Sequence, residues 1–447
     1  MRTLFFVVCV LTAPFCVSRP KYGMLLLVVL QAALLGNSAD LETGKFIYAA
    51  IFCFYLISWI PSLLNERGRW WKHPIVRSVK WLLFLFALSR LVGMYHGISA
   101  IDWFRDLTPM LNYIWIPFGV VAFSAKDNLR RYCRLLVILL AILSIISTAQ
   151  IMVFRGFLPD PIDFFDAVNV TPVVVLFGVF LSISLAIDNA DKRSRIRSWA
   201  CAGGFVVCSL LTGTRINTVS ILVGSMVFFL LLRRVGAIRR SGTMMKILLP
   251  VAAATVLMVV TAAYALPDAD KLVERYKEPL SADFLEDATL TNRIAESLDA
   301  WNAFAASPVF GQGLGYKMET VFRLGFDYYI PEMYFVHNFY FYILAKFGLL
   351  GLVSFAVFFA AVIRSSVRGF LASAPGIERA LYGGVASLMV ALLIESITSA
   401  QFNERFPTAF LSILLGLIVA IDIKRARNAS KRNLIGPDSN IQPCPQS

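Results

Sequence analysis

Of the three histidines in this chain, His337 stands with Asn338 where a polar segment, Pro331-Glu-Met-Tyr-Phe-Val, gives way to the apolar run Phe339-Tyr-Phe-Tyr-Ile-Leu-Ala. A neutral imidazole accepts a proton, and the positive end of a helix dipole at such a start favours the neutral ring. The plainer reading is a histidine that anchors a helix at an interface through one hydrogen bond, beside an Asn338 that caps or orients it. His73 and His96 sit in loops without comparable surroundings.

Arginine supplies the second kind of chemistry. Arg215, in Leu211-Thr-Gly-Thr-Arg-Ile-Asn217, lies between two apolar runs whose far ends are strongly basic, and its own loop offers no acid. An arginine at that membrane surface needs a partner. Arg293, Arg90 and Arg105, the last within Asp102-Trp-Phe-Arg-Asp106, fall on the same side. Guanidinium forks suit phosphate oxygens, and several converging would hold a pyrophosphate. For Arg90 and Arg105, pairing with Asp102, Asp106 or Glu395 is the simpler reading. Asp160, Asp163 and Asp166 have the chemistry of a divalent-cation site, yet their proline-containing stretch reads as an ordinary acidic turn, so no metal site is expected. Lys346 and Glu395 are ionisable groups inside apolar runs, hence functional candidates. Lys346 lies nine residues beyond His337, on nearly the opposite helix face, which argues against a direct partnership.

The elements that must position these groups follow from composition. With 58% hydrophobic and 16% charged residues and a mean hydropathy of +0.70, the chain is an all-α polytopic membrane protein. The formal net charge of +14 does not imply a nucleic-acid partner, because the basic residues sit in short loops between apolar runs. Seven cysteines show neither zinc spacing nor a disulfide framework. A span needs ~20 mostly apolar residues, which predicts about twelve: 22–36, 45–64, 76–95, 101–124, 132–152, 171–188, 199–214, 217–232, 247–266, 335–363, 380–398 and 406–423. Residues 3–17 read as a short retained first helix rather than a cleaved signal.

Lysine and arginine fill alternate loops, from Arg67 through Lys126, Lys192, Arg233 and Arg364 to the tail at Lys424. Those loops are cytoplasmic and the others external. The chain thus divides into a helix bundle at 1–266, an external helical segment at 267–334, C-terminal spans at 335–423 and a cytoplasmic tail at 424–447. Within the external segment, Ile294, Leu298, Trp301 and Phe304 recur at helical spacing. This predicts an amphipathic helix near the membrane surface, with Arg293, Glu296 and Asp299 projecting away from the apolar stripe. Gly311-Gln-Gly313-Leu-Gly315 lacks the strand that a dinucleotide fingerprint needs and reads as a tight turn.

Three blocks then resemble the O-antigen ligase and polymerase superfamily of bacterial envelope glycosyltransferases, its ligases most closely. They are Leu211-Thr-Gly-Thr-Arg215, then Arg293 through Trp301 with Ser307-Pro308 and the glycine turn, and Val336-His337-Asn338 with Leu344, Gly348 and Gly351. The resemblance covers roughly 199–363. It implies a GT-C-like fold in the bacterial inner membrane, a periplasmic active site, and inverting glycosyl transfer without metal or cofactor. The donor would be undecaprenyl-pyrophosphate-linked O-antigen and the acceptor a sugar hydroxyl of lipid A-core, with membrane lipids as surroundings. His337 would serve as base, and Arg215 and Arg293 would hold the pyrophosphate, with Asn338, Arg90 and Arg105 as further substrate contacts. An O-antigen polymerase or a protein O-oligosaccharyltransferase is the nearest alternative. A transporter is more remote, since no internal repeat or matched pair of broken spans appears.

Overall fold

A computed structural model describes residues 11–12, 14–34, 43–65, 67–123, 129–154, 172–188, 191–211, 215–236, 288–320, 322–324, 327–329, 332–334 and 336–435. The expected span at 247–266, the acidic stretch Asp160–Asp166, the first ten residues and the end of the tail lie outside them.

The described helices are α1 Pro20–Leu34, α2 Thr43–Asn65, α3 Arg67–Trp70, α4 Pro74–Tyr95, α5 Ala100–Leu107, α6 Trp115–Phe123, α7 Leu129–Phe154, α8 Pro172–Asp188, α9 Lys192–Leu211, α10 Arg215–Arg234, α11 Ala288–Ala306, α12 Phe339–Ala372, α13 Ile377–Glu395 and α14 Arg405–Ile435. Four of them, within α10, α12, α13 and α14, are long and apolar enough to cross a membrane. Shorter apolar helices lie in α2, α6, α7 and α8. This is the build of a polytopic membrane protein. Strands are confined to a small arm in which β1 Met318–Glu319 pairs antiparallel with β4 Glu332–Met333, and β2 Phe322–Leu324 with β3 Asp327–Tyr329. The arm leaves the glycine turn and returns the chain to Val336 and His337.

Residues 101–124 do not form the single span expected of them. Instead α5 ends at Leu107, a 3-10 turn follows at Met110–Ile114, and α6 begins at Trp115. Pro109 accounts for the interruption, because it brings no N–H and its ring crowds the carbonyl four residues before it. The polar end of this segment, Asp102 to Asp106, is thereby folded over the bundle rather than threaded through it.

Close packing follows small residues, as it does where lipid removes the hydrophobic drive between helices. A Cβ on Gly119 of α6 would lie 2.3 Å from the backbone of Gly416 in α14, so these helices meet backbone to backbone. The two ends of the bundle differ chemically. At one end His73 pairs with Asp422 at 3.1 Å, the Tyr382 hydroxyl donates to the same carboxylate, and Arg425 bridges to Glu378 at 2.8 Å. These residues adjoin loops expected to be cytoplasmic. At the other end lie the ends of α4 and α13, the starts of α12 and α14, and helices α5 and α11.

Helix α12 is broken at Gly348, whose φ of 63° and ψ of −157° fit neither helix nor an ordinary side chain. The glycine turn fills the break. Gln312 N–H donates to Ala345 O at 2.8 Å and Gly313 N–H to Lys346 O at 3.0 Å, while Leu349 and Leu350 N–H donate to Pro308 and Val309 O at 2.9 and 3.2 Å. Every one of these backbone groups would otherwise be orphaned in an apolar setting. A Cβ at Gly348 would stand 2.5 Å from the Val309 carbonyl. Gly348→Ala is therefore expected to cost at least about 1–3 kcal/mol, read as a lowered melting temperature in detergent. An unchanged melting temperature would show that the turn can rearrange freely.

Candidate active site

Asn338 is the N-cap of α12, and its Oδ1 accepts from Tyr340 N–H at 3.0 Å and Phe341 N–H at 3.2 Å. The cap fixes where the helix begins. It leaves His337 in a bend just before the helix, facing α11.

The partner of His337 is Glu296. The His337 Nδ1 lies 2.8 and 3.0 Å from the two Glu296 carboxylate oxygens, and His337 N–H donates to Oε2 at 3.0 Å. Glu296 is 3% exposed, whereas the His337 side chain is 38% exposed. A carboxylate accepting from Nδ1–H fixes the tautomer that leaves Nε2 as the acceptor, and it stabilises the positive ring formed when Nε2 takes a proton. This is an acid–imidazole dyad whose imidazole is partly exposed.

Glu296 projects away from the apolar stripe, as the spacing predicts, and its face is the one that the protein buries: Ile294, Leu298 and Trp301 are 50%, 58% and 49% exposed, while Glu296, Ala300 and Ala303 are buried. In water the large apolar stripe would be driven into the core. Beside lipid that drive is absent, and the small alanines let α11 approach α12 closely. The spacing Glu296, Ala300, Ala303 at i, i+4 and i+7 was the available signal.

The other expected residues are distributed as follows. Arg293, partly exposed, is on α11 three residues before Glu296, hence on the same side of that helix. Arg215 is the first residue of α10, and its side chain lies outside the described residues. Arg90 donates from Nη1 to Ile98 O at 2.9 Å. Arg105 pairs with Asp102 at 3.1 Å and Asp106 at 3.6 Å and stacks 3.0 Å from the centre of the Tyr334 ring. Arg105 thus has the acidic partners that the simpler reading gives it, whereas Arg90 is held by a backbone carbonyl. A hydrogen bond from Ser99, aided by Arg105, holds the Asp102 carboxyl below its usual range.

Two ionisable groups gain context. Lys346 does not approach His337: it is fully buried, donating to Asp106 at 2.8 Å and to Tyr316 O at 2.5 Å. Asp106 also accepts from Gly315 N–H at 2.8 Å. This ion pair pins the glycine turn between α5 and α12. Glu404, which the sequence did not single out, sits near enough to His337 for its charge to be felt. Burial pushes the Glu404 carboxyl up, opposed by a Ser399 hydrogen bond and by His337. Among the described residues no group of three His, Cys, Asp or Glu side chains is arranged to hold a metal.

The site thus brings together an imidazole oriented by a buried acid, at one end of the helical bundle and ahead of a broken helix. Residues 199–356 match the family model described as O-antigen ligase. The match contains Arg215, Arg293, Glu296, His337 and Lys346. No curated protein is matched by the chain.

Proposed function

We propose that this protein is an O-antigen ligase of the bacterial inner membrane. It transfers polysaccharide from undecaprenyl pyrophosphate to a sugar hydroxyl of lipid A-core at the periplasmic face. The observation that carries the reading is the Glu296–His337 dyad within the family-matched region. Nε2 of His337 takes the proton of the acceptor hydroxyl as its oxygen bonds to the anomeric carbon of the donor. The bond from that carbon to the phosphate oxygen breaks from the opposite side, and the electron pair leaves with undecaprenyl pyrophosphate.

Negative charge that grows on the leaving oxygen calls for fixed cations in a site of low dielectric. Arg293 shares a helix with Glu296. Arg215 reaches the same level if α10 runs antiparallel to α13, as the alternation of basic loops requires. Phe228 of α10 packs at Gly383 of α13, and thirteen residues back along α10 and forward along α13 pair Arg215 with Ser396, which accepts from Phe339 N–H beside His337.

Deleting the gene tests ligation against polymerisation. Long polymer left on undecaprenyl pyrophosphate beside bare core supports the ligase; core bearing a single repeat supports the polymerase. In vitro, with purified donor and acceptor, Arg215→Ala is expected to lower transfer by about 10²–10³, the usual cost of removing one group that stabilises developing charge. EDTA is expected to leave the wild-type rate within about twofold, since the arginines take the place of a cation. Inhibition reversed by a divalent ion would bring Asp160, Asp163 and Asp166 back into consideration.

A further inference from the structure

Between α13 and α14 the chain turns beside the dyad. Phe339 N–H donates to Ser396 O at 2.9 Å, and the Tyr340 hydroxyl donates to Leu393 O at 2.7 Å, so the segment after His337 is fastened to the end of α13. Within the turn, Ser399 Oγ donates to Glu404 Oε1 at 3.2 Å, and the Gln401 amide donates to Ser399 Oγ at 2.8 Å. Glu404 lies within electrostatic reach of both Glu395 and His337.

This small region holds a concentration of polar atoms that have no hydrogen-bond partner among the described residues. Glu395 Oε2, Ser396 Oγ and Gln401 Oε1 are buried without a hydrogen bond among the described residues. The three residues are 1%, 0% and 2% exposed. Buried polar atoms are normally paired, and an orphaned group that a ligand then satisfies discriminates strongly for that ligand. The Gln401 amide oxygen only accepts, while the Ser396 hydroxyl and a carboxyl such as Glu395 donate or accept according to protonation. Phosphate oxygens, with nothing to donate, would leave the Gln401 amide oxygen unmet. An acyl chain offers nothing. A sugar ring, with several O–H donors around one rim, is the chemistry that fits.

We propose that the turn from Glu395 to Glu404 is the acceptor-sugar subsite. Glu395, Gln401 and Glu404 receive hydroxyl groups of the acceptor ring, with Ser396 completing the set, and this holds one further hydroxyl for the imidazole of His337. The proposal rests on the transfer reading above and deepens it. The turn lies beyond residue 356, outside the family-matched stretch. The donor is left to the arginine side.

The test uses the full-length protein in detergent, with bare lipid A-core glycolipid as acceptor probe and an undecaprenyl-pyrophosphate-linked oligosaccharide as donor. Glu395→Gln, Gln401→Ala and Glu404→Gln are each expected to raise the acceptor KM by about tenfold or more, the equivalent of one or two hydrogen bonds. The donor KM and the melting temperature should stay near wild type. An unchanged acceptor KM in all three variants overturns the subsite, as does a parallel rise in both KM values with a lowered melting temperature, which marks a structural turn. Those results leave ligation standing if the wild type transfers. A wild type that consumes no donor with this acceptor defeats the ligase reading and the subsite together.

Discussion

Replacing His337 by alanine is expected to lower transfer by about 10²–10⁴, the usual contribution of a positioned general base. The donor KM and the melting temperature should be little changed, because the imidazole is partly exposed and the helix cap belongs to Asn338. The sharper experiment is Glu296→Gln. The carboxylate accepts from His337 Nδ1 and from His337 N–H. An amide can turn its NH2 toward Nδ1, which selects the tautomer whose proton sits on Nε2 and removes the base. A loss of about 10²–10⁴ is expected on that ground. Single-turnover rates measured with saturating donor would separate this from a binding defect. Near-wild-type rates in Glu296→Gln would mean that the acid only fastens α11 to the chain before α12, and the dyad would lose its chemical role.

The second large effect concerns stability. Lys346 is 0% and Asp106 6% exposed, with their charged atoms 2.8 Å apart. Removing one charge from such a pair leaves the other desolvated and unmatched, at a cost of about 3–5 kcal/mol. Lys346→Met and Asp106→Leu should each lower the melting temperature strongly and reduce transfer, since the turn between α11 and the arm is no longer pinned. The double variant should regain part of the loss, because it buries no lone charge. Recovery should be incomplete: Gly315 N–H and the Tyr316 carbonyl both lose partners, at ~1–3 kcal/mol for each group left unsatisfied. Additive losses in the double variant would show that the two residues act separately and that the bridge is not a unit.

Much of this architecture is legible along the chain, because lipid imposes a length and composition on anything that crosses it. The apolar runs, their alternation with basic loops and the polar-to-apolar step at His337 are all local properties. Arg105's engagement with its neighbouring acids is legible for the same reason: the residues are three apart and one apart. The turn at Gly311 to Gly315 is visible as a turn. Its insertion into a break in α12 is not, since the partner groups lie more than thirty residues away.

The sequence by itself determined a helical membrane protein, and loop charge led to the expectation of a histidine and arginines on one face, because span length and loop charge are read residue by residue. Only the tertiary structure decided how the histidine is armed. Glu296 lies on a face that the soluble-protein rule assigns to solvent, and its burial depends on alanines packing against α12 while the larger side chains of α11 face outward. The pairing of Lys346 with Asp106 across 240 residues and the approach of the 395–404 turn to His337 depend on packing in the same way. Neither has a local signature, because a buried charge is stable only beside the particular partner that the fold brings to it.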